Sequence, residues 1–146
     1  MSKLYDLRAD LAASIIAANI GWTADSVIFK RQGSVWNDVA SMIAASSLGA
    51  VLHIGIAEGS SSEEDGLEME ITVPLTLICL PQVSDAATPE EDLWEDLVSH
   101  VHDLRLGSDH HAYRFRLKSF SDLDIEADGG TAYLGRQTIF SRKLSL

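Results

Sequence analysis

The sequence predicts an α+β domain, in which a mainly antiparallel sheet of four to five strands carries two to three helices packed on one face. Three observations indicate this class. Two segments repeat apolar residues at helical spacing, one long segment alternates apolar and polar residues as a strand does, and strand-like runs occur in pairs separated by turn residues. The chain has 146 residues, the length of one ordinary domain, so we expect residues 1–146 to share one core.

The first third of the chain contains two helical patterns and one short strand. Residues 3–19 place aliphatic side chains three and four positions apart, which predicts a helix with one core-facing side. Residues 25–31 are rich in β-branched and aromatic types and predict a short strand. Residues 36–49 predict a weak helix, closed by Gly49 in the left-handed conformation.

The middle of the chain predicts an antiparallel hairpin of strands 51–58 and 67–80, joined by the polar loop 59–66. Odd positions of the second strand are apolar and even positions are polar, which is typical of a strand with one wet face. The even face becomes apolar at Ile78, so we expect the far end to be covered on both sides. Pro74 has no N–H to donate, which predicts an edge position or a bulge.

The clearest helix covers residues 88–107. Thr88 can cap its start, and Gly107 lies beyond its predicted end. We expect its apolar stripe to be buried against the sheet, Leu97 and Val101 above all. The stripe consists of Leu93, Leu97, Val98, Val101 and Leu104.

The end of the chain predicts a second hairpin, with strands 113–126 and 131–143 around an Asp-Gly turn. In the first strand two sets of side chains alternate. The apolar set is Tyr113, Phe115 and Leu117, and the basic set is Arg114, Arg116 and Lys118. We expect the apolar set to face the core and the basic row to face away.

Large and reactive side chains have structural interpretations. The single cysteine, Cys79, lies in an apolar run and is expected to be a buried hydrophobe. Core packing is also expected for Trp22 and Trp36. Trp94 lies beside the apolar stripe of its helix, so we expect it to be only half covered.

The chain carries a net charge of −11, and its distribution is uneven. Between Arg31 and Arg105 there is no lysine or arginine, whereas the same stretch holds fourteen acids. This disfavours nucleic-acid binding through phosphate contacts, sequence-specific or not, because such binding needs clustered basic residues. No apolar run approaches the ~18 residues of a membrane span, so no membrane partner is expected either.

No catalytic, cofactor or metal signature is present, so we expect a protein that is not an enzyme and binds no cofactor or metal. Four histidines invite a metal hypothesis, but they lack ligand spacing: His100, His102, His110 and His111. The carboxylates Asp92, Glu95 and Asp96 fit an exposed helix face. Two alternatives remain open: a small-molecule-binding or regulatory α+β module, and a metal-dependent hydrolase that uses the histidines and Asp109.

Four segments together resemble a known family: LYDLRADLAASI, GAVLHIGIAEG with LEMEITVPLTLICLP, PEEDLWEDLVSHVHDLR and the closing hairpin. In order and pattern they are similar to the tail terminator, or tail-completion, proteins of long-tailed bacteriophages and prophages. The resemblance implies an α+β subunit without an active site. Such subunits form a hexameric ring on the tail tube, stop its growth and contact the head-tail connector protein. It also implies a place in the virion tail, and in the bacterial cytoplasm during assembly.

A ring joins two different surfaces of each subunit, and the charge pattern offers a pair of them. We expect the basic row to meet acidic groups of a neighbouring copy. These groups are Glu63, Glu64 and Asp65 in the first hairpin loop and Glu90, Glu91 and Asp92 at the start of the clear helix. Two alternatives stay open: the row pairs with Glu68 and Glu70 in its own sheet, and the loop 60–65 is only a solvated tip.

Overall fold

A computed structural model of the protein describes residues 3–29, 41–43, 49–61, 68–79, 90–106, 113–126 and 132–145. It confirms the α+β class: helices α1 (Lys3–Ala17) and α2 (Glu90–Val101) pack on one face of a six-stranded, mostly antiparallel sheet. The strands are β1 (Val27–Ile28), β2 (Ala50–Ile54), β3 (Glu58–Ser61), β4 (Glu68–Cys79), β5 (Arg116–Glu126) and β6 (Ala132–Ser145). The opposite side of the sheet is called the open face below.

The strands lie in the order β1, β2, β4, β6, β5, and β3 pairs with β4 beyond the end of β2. Only β1 and β2 run parallel. The pairing of β4 with β6 is the longest described, because every residue of β4 has a partner between Leu134 and Ser145. β4 is therefore a central strand, and β5 is an outer strand.

The expected single strand 51–58 is wrong. β2 ends at Ile54 and the chain pairs with β4 again only from Glu58 onward, as β3. Residues 59–61, predicted as loop, belong to this strand. The first run therefore forms two short strands, and with β1 they raise the strand number to six.

The cause of the interruption is a bulge opposite Pro74. Residues 55–57 lie opposite only two residues of β4, Val73 and Pro74, so this side carries one extra residue. The Gly55 N–H donates to the Pro74 carbonyl at 2.8 Å. The amide nitrogen and the carbonyl of one strand residue point toward the same neighbouring strand. Because the Pro74 carbonyl points to Gly55, the position where Pro74 lacks an N–H also faces the bulge. The bulge alternative is confirmed, and the edge alternative is wrong.

The main core lies between the two helices and the odd positions of β4. Leu97 and Val101 of α2 are buried in it, as expected, and so is Cys79. A smaller cluster covers the far end of the open face, which confirms the expected two-sided burial there. It contains Ile43, Val51, Ile78 and Tyr133. Helical residues 41–43 therefore lie on the face opposite α1 and α2.

Two left-handed residues, Gly49 and Asp103, lie near predicted helix ends. Gly49 has a φ of 65°, the left-handed conformation that the sequence predicted, whereas residues 44–48 before it lie outside the described part of the chain. The end of α2 was predicted wrongly: the helix stops at Val101, well before Gly107. Asp103 has a φ of 68°, and its N–H donates to the Phe115 carbonyl at 2.8 Å. The chain leaves the helix because it pairs with the segment that leads into β5.

The second hairpin is confirmed, although β5 begins at Arg116 rather than at residue 113. The register between β5 and β6 shifts at Lys118. Leu117 and Ser119 pair with consecutive residues of β6, so Lys118 is an extra residue and forms a bulge. Leu117 packs toward the main core. After the shift, even positions such as Phe120 share that face. The turn at 127–131 lies outside the described residues, as do Thr88 and Trp36.

The bulge generates a paired stability test. A Cβ added at Gly55 would lie 2.7 Å from Cγ of Pro74, which is too close for a real contact. Gly55→Ala is expected to cost about 1–3 kcal/mol through this overlap. Adding Pro74→Ala removes the ring atom, so the double variant should recover part of that loss. Urea unfolding of the parent, both single variants and the double variant gives the coupling energy.

A matched comparison at Gly59 separates this mechanism from a general cost of alanine. There a Cβ would meet the main-chain oxygen of Glu70 at 2.5 Å, an atom that Pro74→Ala leaves in place. Gly59→Ala should therefore destabilise the protein equally with or without Pro74→Ala. Strictly additive losses for Gly55→Ala and Pro74→Ala would contradict the described bulge.

Candidate interaction surfaces

The acidic residues expected at an interface lie on the outer side of α2 as far as they are described. Glu91 and Asp92 are exposed, and Glu95 and Asp96 extend the same acidic surface by one turn. We call these four residues the acidic helix surface. The side chain of Glu90 lies outside the described part of the chain, and so do Glu63, Glu64 and Asp65.

The basic row is divided by its own sheet. Arg114 is half-buried, whereas Arg116 and Lys118 are exposed. Arg116 forms an ion pair through Nη1 with the carboxylate of Asp103, just beyond α2. Lys118 sits in the β5 bulge. The row is therefore not one continuous charged surface.

Lys118 reaches over the open face toward β3 and β4. With Glu58, Glu70 and Thr72 it lines a hollow of about 460 Å³. Both glutamates are exposed. The open face is thus acidic along β3 and β4. Its other side, along β5 and β6, carries Arg116, Lys118 and Lys143.

Glu68 has two described partners. Its Oε1 lies 3.4 Å from Lys143 Nζ, and its Oε2 accepts a hydrogen bond from the Tyr113 hydroxyl at 3.3 Å. These two contacts do not involve the basic row, whereas Glu70 lines the same hollow as Lys118, so the alternative that the row pairs with Glu68 and Glu70 stays a prediction. Arg116 takes Asp103 instead, because the turn after α2 lies against the start of β5.

An aromatic patch lies where α2 crosses the end hairpin. We define it by Trp94, Phe120, Leu134 and Arg136. Trp94 is half-buried, as expected, and its Nε1 donates to the buried Thr138 Oγ1 at 2.8 Å. Phe120 stays 54% exposed and Leu134 48% exposed, so the patch has both a fixed base and an accessible apolar rim.

Contacts within the patch hold it in one arrangement. The rings of Trp94 and Phe120 lie 4.7 Å apart at 54°. The Arg136 guanidinium lies 5.1 Å from the Trp94 ring centroid, a cation–π distance. Arg136 Nε also donates to Asp122 at 2.9 Å. The sequence prediction missed this patch, because uninterrupted alternation from Leu117 would have put Phe120 on the open face.

Two buried arginines were also missed. Arg8 is only 5% exposed and donates through Nη1 to the Phe29 carbonyl at 2.7 Å. Arg142 is 3% exposed, and its guanidinium lies over the rings of Tyr113 and Phe115. A hollow of about 200 Å³ beside Arg142 is lined by charged groups of α1, namely Lys3, Asp6 and Asp10. Arginine is rarely buried, so no feature of the sequence indicated that either residue lies in the interior.

The described histidines connect structural elements. His100 Nε2 lies 3.0 Å from Ser14 Oγ and links α2 to α1. His102 Nδ1 accepts a hydrogen bond from the Leu117 N–H at 3.0 Å, on the outer side of β5. Within the described ranges no three potential ligands come together to hold a metal ion. His110 and His111 lie outside those ranges.

No protein-family model matches this chain, and no characterised protein matches its sequence. In the described part of the chain, no helix has the length and apolar character of a membrane span. The described residues build an acidic helix surface, a basic side of the open face and an aromatic patch.

Two half-buried histidines, His53 and His100, predict how stability depends on pH. Burial lowers the pKa of His100, although its hydrogen bond with Ser14 acts in the other direction. Burial, and then the positive charge of Arg8, lower the pKa of His53. The unfolded chain, with histidine pKa values near ~6.5, therefore binds more protons than the folded chain just below that pH.

The contribution of these histidines to the free energy of unfolding is thus expected to be fully present above pH ~6.5 and to be lost as the pH falls below that value. Urea unfolding at several pH values measures it. The double variant His53→Gln and His100→Gln should show a flatter profile than the parent in the pH range just below ~6.5. A parent whose stability increases as the pH falls through this window would contradict the described burial.

Proposed function

We propose that this chain is a structural subunit of a phage or prophage tail, a tail terminator that forms a ring of identical copies at the end of the tail tube. One observation carries the proposal: the acidic helix surface and the exposed cations Lys118 and Arg116 lie on different sides of the sheet. The acidic helix surface lies over one face, and Lys118 with Arg116 lies toward the other. The resemblance in element order to tail terminators supplies the biological setting.

This placement suits a ring better than a two-fold dimer. A closed ring sets one patch of each subunit against a different patch of the next, whereas a two-fold dimer sets a patch against itself. Self-pairing of the acidic helix surface would bring eight carboxylates together. Docking of that surface on the basic side of the open face brings opposite charges together and is favourable.

Lys118 is the key basic residue in this arrangement. Among the ion pairs between described residues, none includes Lys118, whereas Arg116 is paired with Asp103. The Arg116 pair is exposed at both ends. Such pairs contribute only about 0–1 kcal/mol, so Arg116 can exchange Asp103 for a carboxylate of a neighbouring copy at little cost.

The remaining partners follow from the same proposal. A terminator ring contacts the tail tube protein on one side and the head-tail connector protein on the other. The aromatic patch contains Trp94 and Arg136, residue types that dominate protein–protein contacts. Assembly of this kind needs neither a cofactor nor a catalytic residue.

A charge swap tests the ring contact. Lys118→Glu and Asp92→Lys should each weaken assembly, because each places like charges across the interface. Combining them should restore assembly, because every interface then carries the same pair in reverse. Light scattering after size-exclusion chromatography, with and without tail tubes, measures the assembled fraction at about 0.1 M and about 1 M salt.

The control is Lys118→Glu with Asp25→Lys, which has the same net charge as the swapped variant. Asp25 is exposed in the turn before β1 and does not belong to the acidic helix surface, so this control should stay as weak as Lys118→Glu alone. Equal assembly by the swapped and control variants would refute the charge contact. A parent that stays monomeric in all these conditions, tail tubes included, would refute the ring itself.

A further inference from the structure

The aromatic patch keeps an exposed rim beside α2. Trp94 projects from one flank of the helix onto Phe120 of β5, and the two rings lie 4.7 Å apart. Phe120 nevertheless stays 54% exposed and Leu134 48% exposed, so the fold covers only about half of each side chain. β5 is the last strand of the sheet on this side, which leaves the space next to this flank open among the described elements.

Carboxylates stand on the same flank of the helix. Glu91 lies three positions before Trp94, so the two side chains are neighbours on α2, and Glu95 follows Glu91 by one turn. Both glutamates are exposed. Among the ion pairs between described residues, none includes either of them. We call Glu91 and Glu95 the acidic flank, and their charge is available to the cations of a partner.

The charges within the aromatic patch are matched inside the chain. The Arg136 guanidinium lies over the Trp94 ring, and its Nε donates to Asp122 at 2.9 Å. An ion pair of this kind leaves little net charge for a partner to meet. The acidic flank therefore decides which charge complements this surface, and that charge is positive.

The two parts of the surface belong to different elements, and this sets the shape of an occupant. The exposed rim, Phe120 and Leu134, lies on the sheet, whereas the acidic flank lies on the helix that packs on it. An occupant must therefore direct apolar groups to the sheet and basic groups sideways to α2. Successive residues of an α-helix are about 100° apart, so one helix can present two such adjacent faces. A strand directs successive side chains to opposite faces instead.

This chain does not contain a suitable helix among those described. α1 has two basic residues, Lys3 and Arg8, and Arg8 is buried. α2 is itself acidic. No lysine or arginine occurs anywhere between Arg31 and Arg105. The occupant that fits the surface is therefore a segment of another polypeptide rather than a second copy.

We propose that the aromatic patch and the acidic flank together bind an amphipathic, basic helix of another polypeptide. Its aliphatic side chains cover Phe120 and Leu134, and its lysines or arginines pair with Glu91 and Glu95. This contact does not rest on the proposed ring, because its partner is not a copy of this chain.

The probe is the capped peptide KLAKLAQKLAKLAQK, added to the full chain. On a helix its leucines form one stripe, and its lysines lie along one side of that stripe. A free peptide of this length is at most partly helical in water, so circular dichroism should show additional helix on binding. Nuclear magnetic resonance should show the largest shift changes at the Trp94 indole N–H and the amides of Glu91 and Phe120.

The acidic counterpart ELAELAQELAELAQE tests the charge. The parent chain should bind the basic peptide at least about tenfold more tightly than the acidic one. Combining Glu91→Lys with Glu95→Lys should reverse this order. The control combines Asp25→Lys with Glu58→Lys, which changes the net charge equally at two exposed residues outside α2. This control should keep the order of the parent.

A pair of serine variants tests the apolar part of the contact. Phe120→Ser removes half of the exposed rim and should raise the Kd for the basic peptide about tenfold. Leu123→Ser is the matched control, because Leu123 is exposed on the other face of the same strand. It should change the Kd less than about twofold. Thermal unfolding checks that both variants fold.

Three results would overturn the proposal. The first is no binding of the basic peptide at about 1 mM, either to the parent or to Lys118→Glu, in which ring assembly cannot compete. The second is a preference for the basic peptide that survives charge reversal of the acidic flank. The third is an equal loss of affinity in Phe120→Ser and Leu123→Ser.

Discussion

The pairing of β4 with β6 fixes the position of almost everything else in this protein. The two strands match residue for residue from Glu68 to Cys79, so their alternation decides which side chains enter the main core. A slip by one residue would expose Val73 and Phe140, both fully buried. The helices cover the face that this register makes apolar, and the polar open face follows from the same alternation.

Two bulges then redirect the strands on either side of that pair. The bulge at Gly55 gives Pro74 a place in a central strand, where its missing N–H would otherwise break the ladder. The bulge at Lys118 turns the side chains of β5 over by one position. Phe120 thereby contacts Trp94 beneath α2, and Lys118 lies over the open face. A charged surface and an aromatic patch thus arise from one extra residue.

The features that depend on a regular residue period were predicted from the sequence. The predictions were wrong where a single extra residue interrupts that period. The helix stripe with Leu97, the alternating strand β4 and the left-handed Gly49 could all be read locally. The position of Phe120 could not, because nothing in the sequence near Lys118 marks a bulge. The end of α2 was also missed, since Asp103 takes its left-handed conformation from pairing with Phe115, which is distant in sequence.

In the proposed function, copies of this chain close a ring at the end of a tail tube. Electron microscopy of tail tubes from the same phage or prophage, grown with and without the protein, tests it most directly. The account predicts tubes of limited length that carry a ring of six copies at one end. Tubes that grow equally long in its presence, with bare ends, would contradict the account.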